Sequence, residues 1–426
     1  MNTAQLYKVF KQTSGVCTDT RRIKKDAIYF ALKGDNFNGN EFAQDALDKG
    51  AKFCIIDEEA YKINDRCILV ENSLKSLQQL ASYHRQVIGV PIIGLTGSNG
   101  KTTTKELIYS VLSQHYRVRA TQGNLNNHIG VPLTLLSFDA DLDFGIVEMG
   151  ANHQGEIEFL SQIAAPDYGI ITNFGKAHLE GFGGIEGVIK GKSELYKHLK
   201  ARNKTVFINT NDDLQLQQIG QYGQSITFGS NEDNDITISF DAADPYVQLS
   251  YDGTKIKTHL IGTYNFNNIA IAVAVGANFG VNTQQIKEGL ESYVPKNSRS
   301  QIIKKGATTI LLDAYNANPT SMAVAITTFN EMNAKDKILI LGDMFELGQT
   351  ALKEHQAIVD IAESSFKEIY LIGENFFNTR TSSSTKKYKS FEAFATHIQP
   401  QHFRGSFILL KGSRGMALER FLNLLN

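Results

Sequence analysis

The chain is predicted to be an α/β protein of three units, and three observations predict this. Its 426 residues exceed one hydrophobic core, at roughly 100 to 200 residues per domain. Strands that are apolar along their length, such as "PIIGLTG", "FGIVEMG" and "KILILGD", recur with helical patterns between them, which indicates parallel sheets covered on both faces. One of these strands runs directly into a glycine loop closed by a Lys-Thr pair, "IIGLTGSNGKTTTKEL" from Ile92 to Leu107. That arrangement holds phosphate.

The elements follow in order. In residues 1–89, "AIYFAL" and "KFCIID" read as strands, and "NEFAQDALDKG" between them reads as a helix closed by Gly50. "SLKSLQQLASYHRQ" is a second amphipathic helix, and "VIGVP" is a hinge into the next unit. Residues 90–298 carry the phosphate loop and the strands "FGIVEMG", "YGIITNFG" and "TVFINTND". Residues 220–260 are polar and strand-rich, an antiparallel edge or an insertion. Residues 299–426 repeat an open α/β pattern. Their strands are "TTILLDAY", "KILILGD", "EIYLIGE" and "SFILLKGS", with helices over "NPTSMAVAITTFNEM" and "ALKEHQAIVDIAES". Strand ends at Asp313, Gly342, Asp343 and Lys411 suit a sheet that binds ligands at its carboxyl edge.

Composition narrows the function classes. Apolar residues make up 42% and charged residues 20% of the chain, with 43 basic against 44 acidic side chains, so a folded protein is expected and no basic excess favours nucleic acid. The three cysteines, Cys17, Cys54 and Cys67, lack a paired metal spacing and read as free thiols in a reducing compartment. The N-terminal "MNTAQLYKVFKQ" has no apolar core of a secretory signal. The longest apolar run, near Ile269 to Ala277, is far short of the ~20 residues that cross a bilayer. A soluble cytoplasmic protein with no membrane partner is expected.

In the loop, Gly97 and Gly100 permit close approach to phosphate, with Ser98, Asn99 and Thr103 completing the cradle. Lys101 bridges the terminal phosphates and the Thr102 hydroxyl ligates Mg²⁺. The longest form of this motif places glycine where this chain has Leu95, so the loop is the shorter GxxGKT type. The loop needs a metal partner, and Glu148, at the end of an apolar strand, supplies a carboxylate. His178 follows the next strand among glycines; a lone histidine is usually structural, and the residues alone leave it unassigned. Lys190 and Lys192 sit near a helix start, where a solvated face is the ordinary reading.

Taken together and in order, these motifs resemble the Mur ligase family. "TGSNGKTTTKE" is similar to its ATP loop. "GNLNNHIGVPLTLL", "EMGANHQGEI", "TNFGKAHLEGFG" and "KGKSELY" resemble its central-domain signatures, and "LIGTYNFNNIAIAVAV" its GxxNxxN nucleotide motif. "LLDAYNANPTSM", "LGDMFELG" and "LLKGSRG" resemble the C-terminal domain of members that add a terminal dipeptide. The resemblance implies an N-terminal UDP-sugar-binding α/β domain (1–89), a central P-loop-type ATP-binding domain with a parallel sheet (90–298) and a Rossmann-like C-terminal ligase domain (299–426) that closes over the site. It implies ATP and two Mg²⁺ ions, one held by Thr102 and Glu148, the other by His178 and a carbamylated lysine. Lys192 is the choice for that lysine because "KSE" matches the pattern, with Lys190 as runner-up. Asn265 and Asn268 are implied at the adenine, and Arg299 and Asp313 near the phosphates and ribose. Asp19, Thr20 and Arg21 match a uridine-side motif, and Asn126 and Asn127 match one that faces the sugar-peptide. Asn316, Asn318 and Ser321 are placed at the dipeptide by motif alone; a solvated helix start is their ordinary reading.

The implied substrates are UDP-N-acetylmuramoyl-tripeptide and D-alanyl-D-alanine, joined by one monomeric chain. A carboxylate acylates poorly because its leaving group would be oxide. Phosphorylation by ATP makes it an acyl phosphate, which an amine can displace. Lys101, Glu148, His178 and Lys192 are the expected catalytic set. Three alternatives stay open: a relative adding a single amino acid to a UDP-muramoyl-peptide, a P-loop NTPase or kinase, and a binding protein without turnover.

Overall fold

The computed structural model describes residues 1–296 and 299–425; the junction expected after residue 298 lies outside the described residues. Three sheets carry the architecture. The first is four-stranded and parallel, in the order Val16–Cys17, Ile28–Phe30, Phe53–Ile56, Cys67–Leu69. Its strands at 28–30 and 53–56 are almost wholly buried, as continuous apolar runs predict. The helix read over 40–50 begins as a tight turn, Gly39–Phe42, becomes α-helical at Ala43–Asp48, and ends before Gly50 at φ 98°.

Helix Ser73–Ile88 is capped by Asn72 at its start and by Gly89, in the left-handed conformation, at its end. This helix belongs to the N-terminal unit in sequence but is bonded to the central one. Gln78 donates to the His128 carbonyl at 3.0 Å, and Arg85 donates to the Ala164 carbonyl at 3.1 Å and pairs with Asp167 at 2.6 Å. Asp167 also accepts from the Ile92 amide, the first residue of the phosphate-loop strand, at 3.0 Å. "VIGVP" is therefore a short, tied connection.

The central sheet has nine strands in the order Thr254–Ile261, Tyr246–Tyr251, Ile236–Ala243, Ser225–Gly229, Thr205–Asn209, Tyr168–Ile171, Ile92–Thr96, Phe144–Glu148, Val118–Ala120. From Val118–Ala120 to Ile236–Ala243 all neighbours are parallel; the last two pairings are antiparallel. The polar stretch read from 220–260 is thus an antiparallel edge on the same sheet. Its strand Thr254–Ile261 alternates between buried and exposed positions over most of its length because only one of its faces is covered. The chain passes from Ile92–Thr96 outward to one side, through Val118–Ala120 and Phe144–Glu148, before continuing on the other side at Tyr168–Ile171. The order reverses at Ile92–Thr96, and a crevice opens at its carboxyl end. Helix Lys101–Leu112 starts there, against the buried helix Asn265–Asn278.

The C-terminal sheet orders Gln301–Lys305, Thr308–Asp313, Phe407–Lys411, Lys337–Gly342, Ile369–Ile372, Lys386–Tyr388, parallel except for its first pair. Strand 407–411 is fully buried and central, so its last residue, Lys411, emerges mid-edge beside Asp313. No helix among the described residues is long and apolar enough to cross a membrane.

Candidate active site

The carboxyl edges of the central and C-terminal sheets face one another across a cleft of about 800 Å³. Its floor is the phosphate loop. Gly97 at φ 144° and Gly100 at φ 79° adopt backbone angles that L-residues rarely take. A Cβ at Gly97 would stand 2.0 Å from Thr172 Oγ1, and one at Gly100 2.3 Å from Asn268 Oδ1. Leu95 is fully buried in the strand, which accounts for the shorter loop: that position belongs to the core. The Asn99 amide donates to Asn173 Oδ1 at 3.1 Å, and its carbonyl accepts from Thr172 Oγ1 at 2.5 Å and from Asn173 Nδ2 at 3.0 Å. The end of the adjacent strand thereby sets the loop's shape.

Lys101 folds back over this loop, donating to the Gly97 carbonyl at 2.7 Å and the Ser98 carbonyl at 3.3 Å. Lost hydration lowers its pKa, Arg299 adds to that, and Glu148 opposes it. Glu148 is buried; its Oε1 accepts from Asn126 Nδ2 at 2.7 Å while its Oε2 has no partner. Thr102 and Thr103 also line the cleft. A hard, unpartnered carboxylate oxygen and a threonine hydroxyl in one cleft suit Mg²⁺, which keeps several waters and takes few protein ligands. Among the described residues no three His, Cys, Asp or Glu stand together as a metal cage, so phosphate oxygens and water would complete such a shell.

Asn268 Oδ1 accepts from Thr104 Oγ1 at 3.1 Å, its Nδ2 donates to Asn265 Oδ1 at 2.8 Å, and Asn265 Nδ2 donates to the Ile261 carbonyl at 2.7 Å. Both asparagines line the cleft; their bonds also brace the phosphate helix. Across from them, the Arg299 guanidinium lies 3.7 Å over the Tyr315 ring and its Nε has no partner. Asp313 pairs with Lys411 at 2.5 Å and accepts from the Ser300 amide at 3.2 Å. Ser98, Glu148 and Arg299 carry three of the six buried side-chain polar atoms without a partner among the described residues. Such atoms are rare in proteins, and their concentration marks the cleft as built for a polar ligand.

The remaining expected residues divide. Asn127 and Asn316 line the cleft, although Asn127 Oδ1 is engaged by the Ile129 and Gly130 amides at 3.1 and 2.9 Å. Asn318 and Ser321 line it too, but Asn318 is occupied at both ends. Its Oδ1 caps helix Pro319–Glu331 through the Ser321 amide at 2.9 Å, and its Nδ2 donates to Asn99 Oδ1 at 2.7 Å. Lys192 is buried behind the cleft wall, donating to the Ala151 carbonyl at 3.1 Å, 4.8 Å over the Phe182 ring. Burial, then the charge of Lys101, holds its pKa well below the ordinary lysine value. Asp19, Thr20 and Arg21 stand apart on the N-terminal unit. There Asp19 caps the turn Thr20–Arg22 and pairs with exposed Arg21 at 2.8 Å, which draws the Asp19 pKa down to about 2.

Several cleft residues carried no assigned role in the sequence. Asn173 shapes the loop; its place immediately after an apolar strand was the available signal. Tyr315 and Glu346 lie inside quoted motifs. Outside the cleft lining, Lys176, within "NFGKAHLEGFGG", pairs with Glu354 at 3.0 Å, and its amide donates to Thr320 Oγ1 at 2.9 Å.

Three family profiles match the chain: "Mur ligase family, catalytic domain" over residues 12–93, "Mur ligase middle domain" over 95–276 and "Mur ligase, glutamate ligase domain" over 298–414. The UDP-N-acetylmuramoyl-tripeptide–D-alanyl-D-alanine ligase of Bacillus subtilis is 34% identical over 96% of this chain and 92% of its own length. The Escherichia coli protein of the same name is 30% identical over 96% and 93%. Among solved structures, MurF from Acinetobacter baumannii superposes with a TM-score of 0.86 at 29% identity, covering 100% of this chain and 98% of its own. MurF ligase from Thermotoga maritima in complex with ADP gives 0.83 at 26% identity over 98% and 97%. The cleft, the three-sheet architecture and these likenesses over nearly the full length agree: the chain belongs to the Mur ligase family.

Proposed function

We propose that the chain is an ATP-dependent ligase of peptidoglycan precursor synthesis, joining D-alanyl-D-alanine to the peptide carboxylate of UDP-N-acetylmuramoyl-tripeptide in the cytoplasm. The observation that carries this reading is the gathering of three buried polar atoms without a partner, Ser98 Oγ, Glu148 Oε2 and Arg299 Nε, in one cleft shared by the phosphate loop and the C-terminal sheet edge.

The loop amides and Lys101 bind the triphosphate, for which Lys101 exchanges its bonds to loop carbonyls for phosphate oxygens. The peptide carboxylate attacks the γ-phosphorus, the bond to the ADP oxygen breaks, and an acyl phosphate results. The dipeptide amine then attacks the acyl carbon, phosphate leaves with one former carboxylate oxygen, and the amine's proton passes to a base or water. Lys101 and Arg299 offset charge on the transferring group. Thr102 and Glu148 would hold one Mg²⁺, and His178 with Lys192, as its carbamate, a second; the ions would neutralise phosphate charge. Burial favours the neutral amine of Lys192, the form that adds carbon dioxide. Asn265 and Asn268 would meet adenine through remaining donor and acceptor capacity, and Asp313 the ribose. Asp19, Thr20 and Arg21 would take the uridine side, Asn126 and Asn127 the sugar-peptide, and Asn316 and Ser321 the dipeptide. The site lies within one chain, consistent with a working monomer.

The test is an ADP-release assay over candidate amine donors with UDP-N-acetylmuramoyl-tripeptide held fixed. Release is expected to depend on D-alanyl-D-alanine; equal rates with a single amino acid, or none with any donor, would replace this reading.

A further inference from the structure

Among the cross-domain contacts, one joins two residues of unusual backbone. His178, from the central unit, presents Nδ1 to Glu346 Oε2 of the C-terminal unit. Both are non-glycine residues at positive φ, 52° and 61°, a conformation that is uncommon and persists only where the surroundings over-determine it. The surroundings do so here. The Met344 amide donates to His355 Nε2 at 3.0 Å and the Phe345 amide to Ser413 Oγ at 3.0 Å, which anchors the approach to Glu346 inside the C-terminal unit. The Glu346 carbonyl then accepts from the Glu180 amide at 3.3 Å, across the domain boundary. The carboxylate itself is about half exposed and is turned to His178.

We propose that Glu346 is a positioning residue for His178. Its carboxylate accepts the Nδ1–H, fixes the ring's orientation and leaves the lone pair on Nε2. Because it is supplied by the C-terminal unit, it does so only while that unit is docked. A histidine that must offer a lone pair to a cation or a phosphate-bound group commonly has its other nitrogen held by a carboxylate. In this chain that holder arrives from another domain, so readiness of His178 is tied to closure. The inference rests on the proposed role of His178 beside the transferring phosphate.

The experiment uses the full chain with ADP, reading imidazole nitrogens by ¹⁵N NMR, with the His178 signals assigned through a His178→Gln variant. Wild type is expected to show the Nδ1–H tautomer, Glu346→Ala a shift toward Nε2–H, and Glu346→Gln, whose amide oxygen still accepts, the wild-type pattern. In steady state, Glu346→Ala should lower kcat about 10- to 100-fold with KM for ATP little changed, and Glu346→Gln should recover most of it. Melting temperatures check folding, which an exposed side chain should leave intact. Identical tautomers in wild type and Glu346→Ala, unchanged kcat, or a glutamine variant as damaged as the alanine one would overturn the proposal. Should wild type fail to ligate the dipeptide, the functional reading falls, while the tautomer comparison still decides this one.

Discussion

Glu148 holds one oxygen on Asn126 and leaves the other bare inside a protein wall. Glu148→Gln preserves shape and removes only charge, so kcat should fall about 10²- to 10³-fold while thermal stability holds or rises; a variant within threefold of wild type in single-turnover assays would remove Glu148 from the chemistry. His198 offers a second residue-scale expectation. It is buried with Nε2 unpartnered, and burial, then Arg202, lowers its pKa from 6.5 to about 4. The unfolded chain therefore binds this proton more tightly than the folded one. Its contribution to stability is complete above pH 6.5 and is lost as pH falls from 6.5 toward 4. In denaturant titrations across that window, His198→Leu should flatten part of the slope, and an unchanged slope would contradict the assignment. Glu148 was legible because a charged residue ends an apolar strand beside a phosphate loop. The partner of Asn99 was not: Asn318 lies 219 positions away, and only the docking of two sheets brings them together.

Elements were most legible where pattern and cap agree. Helix Ser73–Ile88 could be read from its periodicity, and Asn72 and Gly89 close it as such caps do. The strand-rich 236–261 region was less legible because an antiparallel edge, covered on one face, mixes polar and apolar positions. The phosphate loop gives the sharpest element-scale test. Gly100→Ala forces a Cβ to 2.3 Å from Asn268 Oδ1 at φ 79°, so the amide nest and the brace through Thr104 must both distort. ATP affinity by calorimetry should drop at least about tenfold, roughly 1.4 kcal/mol. Asn318→Ala removes the cap of helix Pro319–Glu331, costing about 1 kcal/mol of stability, and also severs the contact to Asn99. Its KM for ATP should therefore rise, a change that loss of a cap alone would not cause.

At the scale of the whole molecule, the central unit meets the C-terminal one through residues that follow two adjacent strands. Asn99 follows Ile92–Thr96, and Lys176, His178 and Glu180 follow Tyr168–Ile171. The same edges hold the phosphate loop, so the docking contacts stand beside the proposed nucleotide site. Lys176→Ala, which removes the pair with Glu354, should make the ADP-bound protein more extended in small-angle scattering; an unchanged radius would show that this pair does not hold the units together. Shielding an acyl phosphate from water is what such docking accomplishes. The most direct measurement labels the tripeptide carboxylate with ¹⁸O and follows phosphate by ³¹P NMR during ligation with D-alanyl-D-alanine. One ¹⁸O should appear in each phosphate released, because the carboxylate oxygen leaves with the phosphoryl group; phosphate without label would contradict carboxylate activation by ATP.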